Sequence, residues 1–584
     1  MGMSLCHDRV PFRLAAAVVS VAAVAVALRT LFPAADPPWN PSVGIVWHDE
    51  GAWVHNARNR ALYGTWFVEN DAWNPLFIAP VFTVLEYLSF AAFGVGVRQA
   101  RLVSEVGGLA SVLLLALGVR RVAGAAAGLM AGALLATNYV YVMYNRAAIM
   151  ETTMVAFMVA AWYCYVRAQE RPLWGAAAAA CALLAFFTKA AAAFFIAALG
   201  VEALIAILRP AETDRPAARL AGMATTIGFA AGGIVALAVF VAPNWPEYRF
   251  YNWQMSVTRK PSYDMRSLID RASWFPILHD TFTRMWLVLV VATCSALAAL
   301  ARWRRVPGPE RLLMLWIGFG ALELLIHDVG NERRFVFFIP ALIAVAAIVL
   351  GGRRYVADAA LAGLTRGRAL LALPLVLFAS YVLAGAIVRV SFLYQIRPGV
   401  RTAAALAVVL TGLLYATWPK VPRWLASGGW SPRAALLLTT LVCAGDLVQF
   451  AQWARGRTYK NYEASRALGE RLPPDTLVHG KLANGLALEN RIRPVFVGRG
   501  FGNYEDRKRR DDVRYILTYV EPRVGYEGPV IREVLDAYPE RRLLMTFEVA
   551  ETTGGHDRAA LFDKQAGPGQ PDARAEDRTD RAHH

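Results

Sequence analysis

A chain of 584 residues with 57% apolar and only 18% charged side chains has too little charge to cover several soluble domains of that total size. Its formal net charge of +17 is spread over short Arg-rich connections and is not gathered on one folded face. That weighs against a nucleic-acid-binding module and suits the positive-inside bias of membrane proteins. The five cysteines, Cys6, Cys164, Cys181, Cys294 and Cys443, include no CxxC pair and four of them lie in apolar runs. Neither a disulfide framework nor a metal knuckle is expected.

The first apolar run, residues 12–32, follows Arg9 and contains Arg13. A signal peptide with Pro33-Ala34-Ala35 as its exit competes with an uncleaved membrane helix, and the run's length favours the helix. Residues 33–100 read as a long first outer loop, polar and aromatic up to Asn74. From Pro75 to Gly94 the chain is apolar, but Thr83, Glu86 and Ser89 draw a polar stripe along one helical face. A mid-span carboxylate facing lipid is expensive, so this segment is expected to lie on the membrane surface. Further spans are expected near 101–119, 123–143, 151–166, 173–187, 190–208, 220–243, 285–301, 312–327, 335–351, 369–388, 401–418 and 434–453, about 13 in all. Residues 1–453 thus form a membrane body. Beyond 453 short β-rich runs at 476–478, 494–497, 513–520 and 542–549 alternate with helix-like stretches at 462–471 and 530–537. A small extracytoplasmic α/β domain over 454–564 follows, then a disordered tail over 565–584.

In that topology five charged or aromatic stretches fall on one side: His48-Asp49-Glu50 with Asn56 to Asn59; Asn145-Arg146 with Glu151; Thr188-Lys189; His327-Asp328 through Arg334; and the aromatic loop 243–280. Ionisable groups at membrane depth face a cavity or a partner. Carboxylates and cations meeting there would suit an anionic, lipid-linked molecule. Moving a sugar off a prenyl phosphate needs a base for the acceptor hydroxyl and cations for the departing phosphate. Asp49, with Glu50 beside it, is the candidate base. Arg146, Lys189 and Arg333 or Arg334 are candidate phosphate partners. Glu151 fits either positioning of the acceptor or holding of a divalent ion, Mg or Mn. Each has a plainer reading: Asp49 as a helix N-cap, Arg146 as an interface anchor, Lys189 snorkelling to headgroups, and Arg333 and Arg334 pairing with Glu332. A transporter of lipid-linked sugars is the competing function, although neither repeated halves nor broken mid-membrane helices are evident. No P-loop, DxD pair or HExxH motif is present, which removes nucleotide-sugar and zinc-hydrolase readings.

The order Asp49-Glu50-Gly51, Asn74-Pro75-Leu76, Arg101-Leu102, Tyr144-Asn145-Arg146, Phe187-Thr188-Lys189 and Arg334-Phe335 resembles the C-type glycosyltransferases. The likeness is strongest to the protein mannosyltransferase and aminoarabinose transferase branch, over roughly residues 12–350. The resemblance implies an all-α polytopic transferase with juxtamembrane helices in the first loop. It also implies inverting transfer from a polyprenyl-phosphate sugar to a glycan, lipid or protein acceptor at the extracytoplasmic face of the plasma membrane, with Asp49 as base. Glu151 stands where the family usually has Asp, Ala190 where Gly follows the Lys, and Phe335 where the family has Tyr.

Overall fold

The computed structural model describes residues 12–38, 44–69, 71–209, 215–257, 303–327, 332–352, 399–417, 431–496, 511–521, 528–551 and 557–565, with isolated positions between 265 and 299 and between 384 and 388. The expected spans at 285–301 and 369–388, the loop beyond 257, Asp328 and the tail after its first residue lie wholly or largely outside these.

Apolar runs build the body as helices because a buried backbone in lipid must satisfy its hydrogen bonds internally. In chain order they are α1 (Phe12–Thr30), the short α2 (Asp49–Trp53) and α3 (His55–Tyr63), α4 (Pro80–Phe93), α5 (Val97–Ala123), α6 (Ala125–Thr137), α7 (Tyr139–Asn145), α8 (Met150–Ala168), α9 (Leu173–Thr188), α10 (Ala193–Leu208), α11 (Arg215–Ala236) and α12 (Trp245–Val257). Then come α13 (Gly308–His327), α14 (Ile339–Leu350), α15 (Val400–Thr417) and α16 (Pro432–Arg455). Helix α9 packs between α8 and α11, and α5 between α6 and α8. Buried Ala178, Ala179, Ala182 and Ala185 on α9 show how small residues let these helices approach closely. Among the described residues five helices are long and apolar enough to cross a membrane, or six if one bent pair counts as a single span. The expected number of about 13 also counts shorter apolar helices, and the stretches 285–301 and 369–388 lie largely outside the described residues.

That bent pair corrects one expectation. The run 123–143 was read as one straight span, yet α6 and α7 meet at 63° around Asn138. The Asn138 side chain accepts from the Tyr141 N–H at 2.9 Å, and Asp446 of α16 accepts from the Tyr139 N–H at 3.1 Å. These two acceptors take up donors that the break exposes. Helix α4 has 14 residues, about 21 Å at 1.5 Å per residue, short of a membrane crossing. Thr83, Glu86 and Ser89 turn inward and are buried, while Val84, Leu88 and Phe93 are exposed. The face away from the protein is therefore the apolar one.

The C-terminal domain begins directly after α16 with α17 (Lys460–Arg471). It continues as β1 (Leu477–His479), α18 (Lys481–Gly485), β2 (Arg493–Val495), β3 (Tyr515–Tyr519), α19 (Gly528–Asp536), β4 (Arg542–Glu548) and β5 (Arg558–Asp563). The sheet order is β2-β1-β3-β5-β4, with β1 parallel to both neighbours and β5 antiparallel to β3 and β4. The first four strands fall close to the expected runs. Strand β5 was not expected, since its Ala-Ala-Leu core reads as helix until β3 and β4 take it as a partner. Its own core gathers Leu468, Val478, Leu486, Ile492, Leu517 and Leu561, and Trp47 from the first loop joins them.

Candidate functional site

The centre is the turn that leads into α2. His48 occupies the N-cap with no side-chain cap bond, and Asp49 does not cap either, so the N-cap reading of Asp49 is set aside. Its carboxylate turns to two cations. Arg333 sits on Oδ2, and the Lys481 ammonium lies 3.0 Å from Oδ1. The Arg333 Nε donates to the Gly44 carbonyl at 3.0 Å, which fixes the guanidinium. Burial would raise the Asp49 carboxyl, but Arg333 and then Lys481 and His48 outweigh it and hold the group far below the usual range. Burial and the Lys481 charge push the His48 imidazole down to about 3, so it is neutral.

A second pair stands beside the first. Glu151, in the first turn of α8, is fully buried and accepts from the Lys189 ammonium at 2.6 Å. Lys189 occupies the extended break after α9 and lies 5.6 Å from the centre of the Phe337 ring. Arg333 feels the charges of both Asp49 and Glu151. The pairing choice left open between Arg333 and Arg334 is thus resolved by geometry, because Arg334 turns to Glu323 of α13 at 2.7 Å. Among the described residues, three cations, Arg333, Lys189 and Lys481, face the two carboxylates of Asp49 and Glu151. Such an excess in a mostly buried setting favours an anion.

Besides Arg334, two more predicted site residues are engaged elsewhere. Both Glu50 oxygens meet the Arg101 guanidinium at 2.7 and 2.8 Å, and Oε1 also accepts from the Ala148 N–H at 2.8 Å. Arg101 in turn donates to the Pro33 and Ala35 carbonyls. This fork ties the first loop to α5 and to the turn before α8, which positions Asp49 and Glu151. Arg146 donates to the carbonyls of Leu28, Arg29 and Phe32 and stacks over Trp453 at 4.7 Å. It satisfies the frayed end of α1. None of these contacts reaches Asp49. Behind them Glu86 is raised well above the usual carboxyl range by burial, with Glu50 adding to it. Among the described residues neither of its oxygens has a hydrogen-bond partner.

Lys481 went unnoticed in the sequence, and so did the contacts that deliver it. Helix α18 lies directly on α2, where a Cβ on Gly51 would stand 1.8 Å from the Asn484 carbonyl oxygen. The Arg58 guanidinium donates to the carbonyls of Ala487, Asn490 and Ile492, each at 2.9 Å. His55 pairs with Asp71 at 2.8 Å and touches Asn484 at 3.0 Å, while Asp71 accepts from the Phe496 N–H. Asp36 accepts from the Thr458 hydroxyl and the N–H groups of Lys460 and Asn461, at the start of α17. The only sequence signal for Lys481 is its place: it follows Gly480 at the carboxyl end of a short strand, where α/β sheets commonly present ligand-binding groups.

Among the described residues no three His, Cys, Asp or Glu side chains are grouped to hold a metal ion. Each Asp49 oxygen faces a cation, and one Glu151 oxygen faces Lys189.

With that geometry in view, the chain can be set beside known proteins. Residues 78–244 match the dolichyl-phosphate-mannose-protein mannosyltransferase family. That segment holds Arg146, Glu151 and Lys189 and leaves Asp49, Arg333 and Lys481 outside it. No curated protein matches the chain. Among solved structures, ArnT from Cupriavidus metallidurans bound to undecaprenyl phosphate is similar at TM-score 0.53 and 17% identity, covering 96% of this chain and 98% of that one. Its apo form gives 0.54 and 17%, covering 95% and 100%. The oligosaccharyltransferase of Archaeoglobus fulgidus gives 0.45 and 14%, covering 89% and 72%. The ArnT match extends the likeness in fold over nearly the whole chain, soluble domain included. The resemblance to C-type glycosyltransferases expected from the motifs is borne out.

Proposed function

We propose that this protein transfers a sugar from a polyprenyl-phosphate carrier to an acceptor hydroxyl, with inversion, at the extracytoplasmic face of the membrane. The observation that carries this reading is the convergence of Asp49, Glu151, Lys189, Arg333 and Lys481 from five separate stretches of sequence, with cations in excess among the described residues. A polyprenyl phosphate of the kind ArnT binds is an anion whose charge such a group complements. In the proposed reaction the acceptor oxygen attacks the anomeric carbon opposite the phosphate. The bond from that carbon to the phosphate oxygen breaks, and Asp49 takes the acceptor's proton. The carrier leaves as a phosphate monoester with one more negative charge than the diester had, and Arg333 and Lys189 stabilise it. Glu151 orients Lys189.

The test is transfer from a synthetic polyprenyl-phosphate sugar in proteoliposomes, read by mass spectrometry of the products. Wild type transfers, and Asp49→Asn folds but loses transfer. An Asp49→Asn protein of normal rate removes Asp49 as base. For sidedness, Glu540→Cys and Glu170→Cys are placed in a cysteine-free chain and treated with a membrane-impermeant maleimide on intact cells. Position 540 is expected to label and position 170 to stay protected; the reverse pattern inverts the topology.

A further inference from the structure

Asp49 carries two cations of different origin. Arg333 belongs to the membrane body and is tied by its Nε to the Gly44 carbonyl. Lys481 comes from the C-terminal domain, and its backbone is clamped on both sides. Before it, Gly480 holds φ +116 and a Cβ there would stand 2.3 Å from the Leu517 carbonyl oxygen. After it, α18 lies against α2 at Gly51 with no room for a side chain. The main chain at 481 is therefore fixed, and the four-carbon stem is the part that can move. A Lys ammonium is a compact charge on a flexible arm, suited to exchanging one oxyanion for another.

We propose that Lys481 is a ligand of the donor phosphate: it leaves Asp49 for the incoming phosphate, and this exchange frees Asp49 to accept the acceptor's proton. The proposal rests on the polyprenyl-phosphate reading above and adds the soluble domain to the catalytic apparatus. Charge balance supports it. Counting the described residues of the group, with a singly charged phosphodiester bound, Asp49, Glu151 and the donor carry three negative charges against the three positive charges of Arg333, Lys189 and Lys481. During transfer the acceptor's proton neutralises Asp49 while the phosphate gains one charge, so the centre stays neutral from start to finish. Without Lys481 it would hold an uncompensated negative charge throughout, which a poorly solvated site disfavours.

The test uses the full chain in detergent and undecaprenyl phosphate alone as the probe, so that binding is read without sugar or acceptor. Lys481→Met is expected to weaken binding by about tenfold to a hundredfold, the range for a lost charged hydrogen bond. Lys481→Arg should restore most of it. Unaltered binding by Lys481→Met overturns the proposal. So does failure of wild type to bind the probe at all. If Lys481→Met opens the C-terminal domain to protease as far as an Arg58→Ala control does, or if Lys481→Arg rescues nothing, Lys481 is a docking residue and the proposal falls. If wild type binds the probe but transfers no sugar, the enzyme reading fails while the binding assignment to Lys481 stands.

Discussion

The membrane body holds ion pairs at both ends, and they are built differently. At the end away from the C-terminal domain, Glu202 of α10 takes both arms of Arg311 at 2.7 and 2.8 Å and accepts from the Tyr165 hydroxyl at 3.2 Å. Arg311 spends a further donor on the Val306 carbonyl. Roughly 20 Å away along α8, the group around Asp49 has three cations for two carboxylates, and Asp49 meets each of its cations through a single oxygen. A balanced, forked pair bolts α8, α10 and α13 together. An unbalanced one leaves capacity for a ligand. Buried charge alone therefore does not mark a site; the mismatch between donors and acceptors does.

The comparison breaks if the two ends respond alike to substitution. The largest effect is expected at Asp49: Asp49→Asn should lower the rate of transfer by about 10²–10⁴-fold, the range for a lost general base, with little change in thermal stability. Arg311→Met should do the opposite. Stranding the buried Glu202 is expected to cost about 3–5 kcal/mol of stability, seen as a lower melting temperature in detergent, while turnover per folded molecule is kept. The double variant Glu202→Leu with Arg311→Met should recover much of that loss, because no buried charge is left without a partner. Gly51→Ala sharpens the case from the other side: overpacking against Asn484 should cost roughly 2 kcal/mol and expose the C-terminal domain to limited proteolysis. The smallest effect belongs to the half-exposed Arg514 with Asp563. Arg514 holds the Asp563 carboxyl below its ordinary 3.8. This contribution is present above that value and fades as pH falls through the lowered one. Asp563→Asn should cost under about 1 kcal/mol at neutral pH, and the two proteins should converge in stability at low pH.

Much of the site was legible because membrane depth makes charge conspicuous. Asp49, Glu151, Lys189 and Arg333 stood out against apolar neighbours, and the structure brings them together. Glu50, Arg146 and Arg334 stood out for the same reason but serve Arg101, the end of α1 and Glu323. Sequence could mark them as costly charges without showing where each one points. Lys481 was illegible for the converse reason. It lies in a polar domain where one more lysine carries no signal, more than 400 residues from Asp49, and only the docking of α18 on α2 gives it meaning. The broken span at Asn138 was hidden because hydropathy sums side chains and does not see a carboxylate such as that of Asp446 arriving from α16 to accept a backbone N–H. Strand β5 depended likewise on distant partners.

The bare backbone contact between Gly51 and Asn484 bears on how this protein could be re-engineered. The soluble portion is keyed to the body by a notch that admits no side chain, with three carbonyls lodged on Arg58 beside it. A chimera that exchanged this domain for another of the same architecture would need to reproduce that notch to within an atom's width. Even then it would arrive without the ammonium group that meets Asp49, unless the graft placed a lysine just after the strand that corresponds to β1.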